Sequence, residues 1–386
     1  MLTRFFNTPA AQQFCSPTQV ILGNGAREQI WDATGGASTC VFVVDNAFHR
    51  DPFVVEIVRR VAPVSVFVVT QEPSEPFVRE CLAGLPKTVD AVIALGGGST
   101  VDVAKALVAY LRWGSIYIKD IAAPQRAPVL IAMPTTVGTG SEVSRYYVLT
   151  DAQTGRKHAS RSWRICPDVA LVDPVFLANT SCMQLVTWSF DAFCHLWETY
   201  VSRTERSPFV DMLACDGLRR LFDALTQMQR NNGEPPPQVH RELQFAGVLG
   251  GIAISNIRTG ILHDAAEALA AQVNVSHPHA LMVFFREAML QYERAVTDRV
   301  AELNLPRDGN DGVMASGREL VDRWESVWQV LGIDQAVRAQ LKDRDIRAES
   351  IVDSICADHV LFKDAPAALD KAAVEGVVTR ALAAWY

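Results

Sequence analysis

The sequence predicts an α/β region with a parallel sheet over residues 1–178, followed by an all-helical region over residues 179–386. Three observations carry this. Short β-rich runs alternate with helical stretches up to about residue 175, a pattern that favours a parallel sheet covered by helices. One of those runs leads into three consecutive glycines and then a helical stretch, Gly96-Gly97-Gly98-Ser99. Beyond about residue 180 the β-rich runs give way to long amphipathic stretches.

In chain order, CVFVVD (40–45), VSVFVV (64–69), AVIAL (91–95), VLIAMP (129–134) and VALVD (169–173) read as buried strands, because each is a short apolar run rich in β-branched residues. Thr100 to Leu107 has helical character. In the second half TWSFDAFCHLWETYVS, SPFVDMLACDGLRRLFDALTQMQR and GRELVDRWESVWQVLG read as helices, with the tryptophans of WESVWQVLG at core spacing. NNGEPPPQ (231–238) and NLPRDGNDG (304–312) are polar breaks and read as loops. No internal repeat is visible. A cleft between the two regions is where a ligand is expected.

Composition excludes several classes of partner. A net charge of −7 with scattered basic residues argues against nucleic acid or an anionic membrane. The apolar runs are too short to span a bilayer, and MLTRFFNTPAAQQF lacks the apolar core of a secretory signal. The eight cysteines show no C-x-x-C pair and fit reduced core thiols in a cytoplasmic protein. Cys194 lies about 100° around its helix from His195 and should point away from it.

Two constellations carry chemistry. Asp191 and His195 are four apart on one helical face, and His263 and His279 follow in apolar helical surroundings. One carboxylate and three imidazoles suit a divalent transition metal such as Fe(II) or Zn(II). The second is the glycine turn. Its glycines allow close backbone approach and positive φ, and the helix start behind it suits a pyrophosphate; an ordinary tight strand-to-helix turn is the equal alternative. It is neither the spaced-glycine dinucleotide fingerprint nor a P-loop. Asp45 ends a strand, where a carboxylate can bond an adenosine ribose and repel a 2′-phosphate; an ordinary strand-end turn aspartate is the plainer reading. Thr135, Thr136, Thr139 and Ser141, in PTTVGTGSE directly after a strand, offer hydroxyls to a cofactor's phosphates, ribose or amide.

Together GGGSTVDVAK, PTTVGTGSEV, the Lys157-His158 pair, PDVALVDP (167–174) and DAFCHLWETYVS resemble the iron-dependent (group III) alcohol dehydrogenases, of the dehydroquinate synthase-like superfamily. The blocks match in order and spacing over roughly residues 14 to 290, and FCSPTQVILGNGA resembles the family's opening strand. The resemblance implies a Rossmann-like NAD-binding domain and a helical domain holding the metal. It implies that Gly96, Gly97, Gly98 and Ser99 hold the pyrophosphate, with Asp102 supporting the turn. By the same resemblance Asp45 would favour NAD over NADP, Thr135, Thr136, Thr139 and Ser141 would line the nucleotide, and Lys157 would lie beside it. Asp191, His195, His263 and His279 would bind Fe(II), with Zn(II) as the alternative. Such a cation would supply Lewis acidity to a substrate oxygen during hydride transfer with the nicotinamide. A homodimer is also implied.

Three departures from the family stand out. Where the family usually carries a second histidine four residues after the ligand at His263, this chain has Glu267, either an alternative acid or base or a residue facing solvent. The interval to the last ligand histidine is altered, and VSHPHAL offers both His277 and His279. Pro278-His279 better preserves the motif, so His279 is assigned as ligand. His277 then either enters the pocket in place of the missing histidine or lies at the surface. Trp188 and Phe190 replace a small approach to Asp191, and either shape the pocket or pack the core. Arg258 is a candidate clamp for an anionic substrate or else a salt-bridge partner. The leading expectation is hydride transfer between NAD(H) and a small alcohol or aldehyde. The alternatives are oxidation coupled to decarboxylation and a dehydroquinate-synthase-like lyase cycle.

Overall fold

The computed structural model describes residues 13–118, 128–151, 157–203, 206–231, 234–307, 312–357 and 361–386. The chain divides into two units, Met1–Asn179 and Thr180–Tyr386.

Among its described residues the first unit has eight strands: β1 (Gln19–Leu22), β2 (Cys40–Asp45), β3 (Ser65–Val69), β4 (Ala91–Gly96), β5 (Val129–Pro134), β6 (Tyr146–Thr150), β7 (Lys157–Arg161) and β8 (Val169–Val172). Six form an all-parallel sheet in the order β1-β8-β5-β4-β2-β3. Between them the described residues form α1 (Ile30–Ala33), α2 (Pro52–Val61), α3 (Glu75–Ala83) and α4 (Gly98–Trp113). The central strands are apolar throughout because both faces of the sheet are covered. Val41, Val43, Val92 and Ala94 enter one core, and the intervening Phe42, Val44, Ile93 and Leu95 enter the other. Each such fully buried side chain larger than alanine contributes roughly 1.5–3 kcal/mol. The helices between the strands carry local start signals. Asp51 accepts from the Phe53 N–H with Pro52 at the first turn of α2, and Ser74 does the same for Phe77 at α3.

All five strand expectations are met, and the opening strand resembled by FCSPTQVILGNGA is β1, parallel to β8 at the sheet edge. The antiparallel hairpin β6–β7 was not foreseen. Its strands pair from Tyr146 with Arg161 to Thr150 with Lys157, and the polar run KHASR carries no apolar signal.

The second unit is helical among its described residues, as expected: α5 (Cys182–Val201), α6 (Pro208–Arg230), α7 (Pro237–Asn256), α8 (Ile261–Ala270), α9 (His277–Leu303), α10 (Gly317–Leu331), α11 (Ile333–Leu341), α12 (Ala348–Cys356), α13 (Leu361–Asp364) and α14 (Lys371–Trp385). Helix α5 is its axis. Ser181 caps it through the Gln184 N–H, and from Leu185 to Val201 every residue except Trp188 is buried. Close packing against α5 depends on small residues. A Cβ on Gly217 of α6 would come within 2.7 Å of Leu196, and one on Gly250 of α7 within 3.3 Å of the His195 Cβ. Phe190 stands at the centre of an aromatic core, with ring centroids of Phe285, Trp324 and Trp328 at 5.0, 5.0 and 4.9 Å. Phe190 and the two tryptophans are therefore core, and Trp188 is not. Among the described residues no single helix is long and apolar enough to cross a membrane.

Candidate functional site

Helix α5 carries Asp191 and His195 on one face, and α8 and α9 bring one imidazole each to the same point. His195 Nε2 lies 3.4 Å from Asp191 Oδ1. His263 Nε2 and His277 Nε2 each lie 3.5 Å from that oxygen. Donors around a tetrahedral ion with bonds of about 2.1 Å are about 3.4 Å apart, so each of the three imidazoles stands at a donor-pair separation from Asp191. The donor atoms of Asp191, His195 and His263 lie within 4.8 Å of one another. The His195 and His263 rings stack with centroids 4.7 Å apart, and the His277 ring lies 5.3 Å from that of His263. Asp191, His195 and His263 are buried, whereas the His277 side chain is 34% exposed.

The chemistry of the donor set also fits a cation. Asp191 Oδ1 and His263 Nε2 are buried and make no hydrogen bond, the condition that a bound metal relieves. Burial alone would raise the Asp191 carboxyl, yet His195 and His277 beside it hold it well below the usual carboxylate range. Burial alone would lower the His263 imidazole, yet the carboxylates of Asp191 and Glu198 carry it up to about 10. The carboxylates of Asp191 and Glu198 thus favour a positive charge at His263.

The sequence-based assignment of His279 to this cluster is corrected. His277 and His279 are 200° apart on α9, so only one can face Asp191. Gln340 takes the other. Its Oε1 accepts from the Ser276 N–H at 3.0 Å, and its Nε2 lies 2.7 Å from His279 Nδ1. With the amide oxygen committed, the amide nitrogen donates to Nδ1. The remaining proton of neutral His279 then sits on Nε2. Burial lowers the His279 pKa and keeps the ring neutral.

In the first unit the glycine turn is tighter than a loop. Gly96 ends β4, Gly97 is the cap residue and Gly98 begins α4, with no side chain capping the helix start. The expectation of positive φ is not met at any of the three. Their need for glycine is steric. A Cβ on Gly96 would lie 2.4 Å from Thr100 Oγ1 and 2.9 Å from the Asp45 Cβ. One on Gly97 would meet Thr136 at 3.0 Å, and one on Gly98 would meet Thr139 at 2.8 Å. Ser99 follows in the first turn of α4. The strand order reverses between β2 and β4, and ligands of open α/β sheets bind at the carboxyl ends of strands at such a point. Asp45 and Gly96 stand there side by side, and Asp45 also accepts from the Ala47 N–H at 2.8 Å.

The loop after β5 divides between two tasks. Thr135 is buried, and its N–H bonds the Gly96 carbonyl at 3.1 Å; Thr136 and the exposed Thr139 lie over the glycines. Ser141 turns inward instead. It donates to Asp102 Oδ1 at 2.6 Å and accepts from Lys105 Nζ at 3.1 Å. Asp102 Oδ2 accepts from the Val148 N–H, so this aspartate ties α4 to β6 rather than bracing the glycines. Lys105, which sequence reasoning missed, is fully buried and also bonds Ser144 and the Tyr146 carbonyl. It lies within the run Val103–Ala109, which is buried throughout, so its ammonium must find acceptors inside the fold. Lys157 is at the start of β7 and pairs with Glu72 at 2.6 Å. In the second unit Glu267 is exposed one turn beyond His263, and Arg258 pairs with Asp264 at 3.3 Å.

Comparison with known proteins agrees with this architecture. The profile described as iron-containing alcohol dehydrogenase matches residues 17–174, and that of the Fe-containing alcohol dehydrogenase family, C-terminal, matches residues 185–382. The chain belongs to the iron-containing alcohol dehydrogenase family, whose members are oxidoreductases of alcohols and aldehydes. It is 27% identical over 358 residues to the NADPH-dependent butanol dehydrogenase of Clostridium saccharobutylicum, covering 89% of each chain. Solved structures share the fold, among them the following two. A 1,3-propanediol oxidoreductase superposes with a TM-score of 0.82 at 22% identity, covering 96% of this chain and 100% of that one. The sulfoacetaldehyde reductase from Bifidobacterium kashiwanohense in complex with NAD+ superposes with a TM-score of 0.80 at 22% identity, covering 96% and 98%.

Proposed function

We propose that this protein transfers hydride between NAD(H) and a small alcohol or aldehyde with the help of one divalent ion, Fe(II) or alternatively Zn(II). The observation that carries the reading is the convergence of three imidazole Nε2 atoms on one Asp191 oxygen. Asp191, His195, His263 and His277 are the ligands in this reading, with His277 replacing His279. When bound, the ion supplies Lewis acidity to the alcohol or carbonyl oxygen. Around it, the buried walls of α5 and α8 limit water, and half-exposed His277 leaves one approach open. Glu267, exposed one turn past His263, is the group we assign to proton exchange with solvent.

The nucleotide half of the reading rests on the glycine turn. The N–H groups at the start of α4 have no side-chain cap and suit a pyrophosphate, with Thr136 and Thr139 beside them. Asp45 adjoins Gly96, where its carboxylate would bond a ribose and repel a 2′-phosphate. NAD is therefore our assignment, although the butanol dehydrogenase relative is named for NADPH. The NAD+ complex of the sulfoacetaldehyde reductase is consistent with it.

The test is reconstitution. Metal-free protein given Fe(II) anaerobically, or Zn(II), should recover NADH-linked reduction of short aldehydes, with much weaker use of NADPH. Full-rate turnover without metal would end the proposal.

A further inference from the structure

We propose that Glu198 is a positioning residue that sets the tautomer of His263, and that position 260 is glycine to leave room for it. The inference rests on the metal reading above. Glu198 is on α5, one turn past His195, and is 7% exposed. Its two oxygens have separate tasks. Oε1 accepts from the Leu262 N–H at 2.7 Å, and Oε2 lies 2.6 Å from His263 Nδ1.

A carboxylate can only accept, so when the His263 ring gives up one proton to bind a cation, the proton that remains is on Nδ1. The lone pair is then on Nε2, the atom aimed at Asp191 Oδ1. The same carboxylate satisfies a backbone donor in the first turn of α8, where no side chain of the cap residue does so. One group therefore fixes the rotation of the ring, its tautomer and the start of the helix that carries it. Outer carboxylates of this kind orient ligand imidazoles and raise their basicity.

Gly260 adds an independent observation. A Cβ there would lie 2.8 Å from Glu198 Oε1 and 3.2 Å from its Cδ. The Gly260 backbone is extended, with φ −114°, so alanine is conformationally acceptable and only the carboxylate would have to move.

Glu198→Gln separates the tasks. The amide oxygen can keep the Leu262 N–H, but the amide nitrogen must then donate to Nδ1. That moves the ring proton to Nε2 and removes the lone pair from the metal side.

The experiment measures Zn(II) affinity by chelator competition, with circular dichroism and NMR of 15N-histidine-labelled, zinc-loaded protein. We expect Glu198→Gln to weaken zinc binding by about 10- to 100-fold. We also expect it to abolish one far-downfield Nδ1–H resonance seen in the wild type. Gly260→Ala should weaken binding in the same direction, and it serves as the test if Glu198→Gln does not fold. Zinc affinity unchanged in a folded Glu198→Gln, or in Gly260→Ala when the first variant does not fold, would overturn this inference alone. A wild type that binds no zinc would overturn the metal reading and this inference with it.

Discussion

His277 Nε2 stands 3.5 Å from Asp191 Oδ1, while His279, two residues along the same helix, is turned to Gln340. The pair of imidazoles therefore predicts a sharp asymmetry. His277→Ala should weaken metal binding by about 100-fold or more, the cost of one of four donors at about 1.4 kcal/mol per factor of ten. His279→Ala should change it by less than about threefold and lower stability by about 1 kcal/mol for the lost hydrogen bond. Metal titration and thermal melts of both variants check this. Equal loss of metal in the two would refute the assignment.

The glycine turn predicts a difference between neighbouring positions. A methyl on Gly96 meets buried Thr100 and the strand end at Asp45, so Gly96→Ala should cost about 1–3 kcal/mol of stability. A methyl on Gly98 meets exposed Thr139, which can yield. Gly98→Ala should keep its melting temperature and instead raise KM for NADH. Steady-state kinetics and calorimetry separate the two effects.

Asp45 should control cofactor choice. Removing its charge in Asp45→Ala should raise the preference for NADPH over NADH by about tenfold, about 1.4 kcal/mol. The ratio of kcat/KM for the two cofactors is the measurement, and an unchanged ratio would place the discriminating contact elsewhere.

Glu142 predicts a pH dependence of stability. Burial, opposed by its own backbone N–H and by Lys105, raises its carboxyl to about 7. The folded chain then binds more protons than the unfolded one between the unfolded carboxyl's pKa, 4.5, and 7. Stability should fall across that window as pH rises, by about 3 kcal/mol at about 1.4 kcal/mol per pH unit, and level off above it. Glu142→Gln should remove this fall, as denaturant titrations at pH 4.5 and 7.5 would show.

Trp188 predicts substrate size. It lies seven residues before His195 and so on nearly the same line of α5. It is partly exposed, whereas Phe190 is sealed in the aromatic core. Trp188→Ala should raise kcat/KM for branched aldehydes relative to unbranched ones while leaving metal affinity unchanged. A uniform loss for every substrate would assign Trp188 to packing.

Much of this was legible in the sequence where one local rule governs. The apolar runs from Cys40 to Asp45 and from Ala91 to Leu95 read as buried strands from their length and β-branched content, and the four-residue spacing of Asp191 and His195 needs only a helix. The rest depended on partners remote in the chain. The choice between His277 and His279 follows from where α9 begins and from Gln340, more than sixty residues away. The inward turn of Ser141 follows from Lys105, whose burial no local pattern announces. The glycines at 96–98 were legible as a tight turn, but what requires them is crowding by Thr100, Thr136 and Thr139 rather than unusual dihedral angles.

The proposed ligand His277 is also the first residue of α9, and the other three proposed donors are buried. Helix ends fray more readily than helix interiors, so cation exchange in this reading would proceed by unwinding one turn rather than by opening the whole unit. The working lifetime of the loaded enzyme then becomes a property of a helix end. Strengthening the Ser276–Gln340 tether should prolong it, and Gln340→Ala should shorten it, as amide exchange at 276–280 measured alongside metal release would reveal.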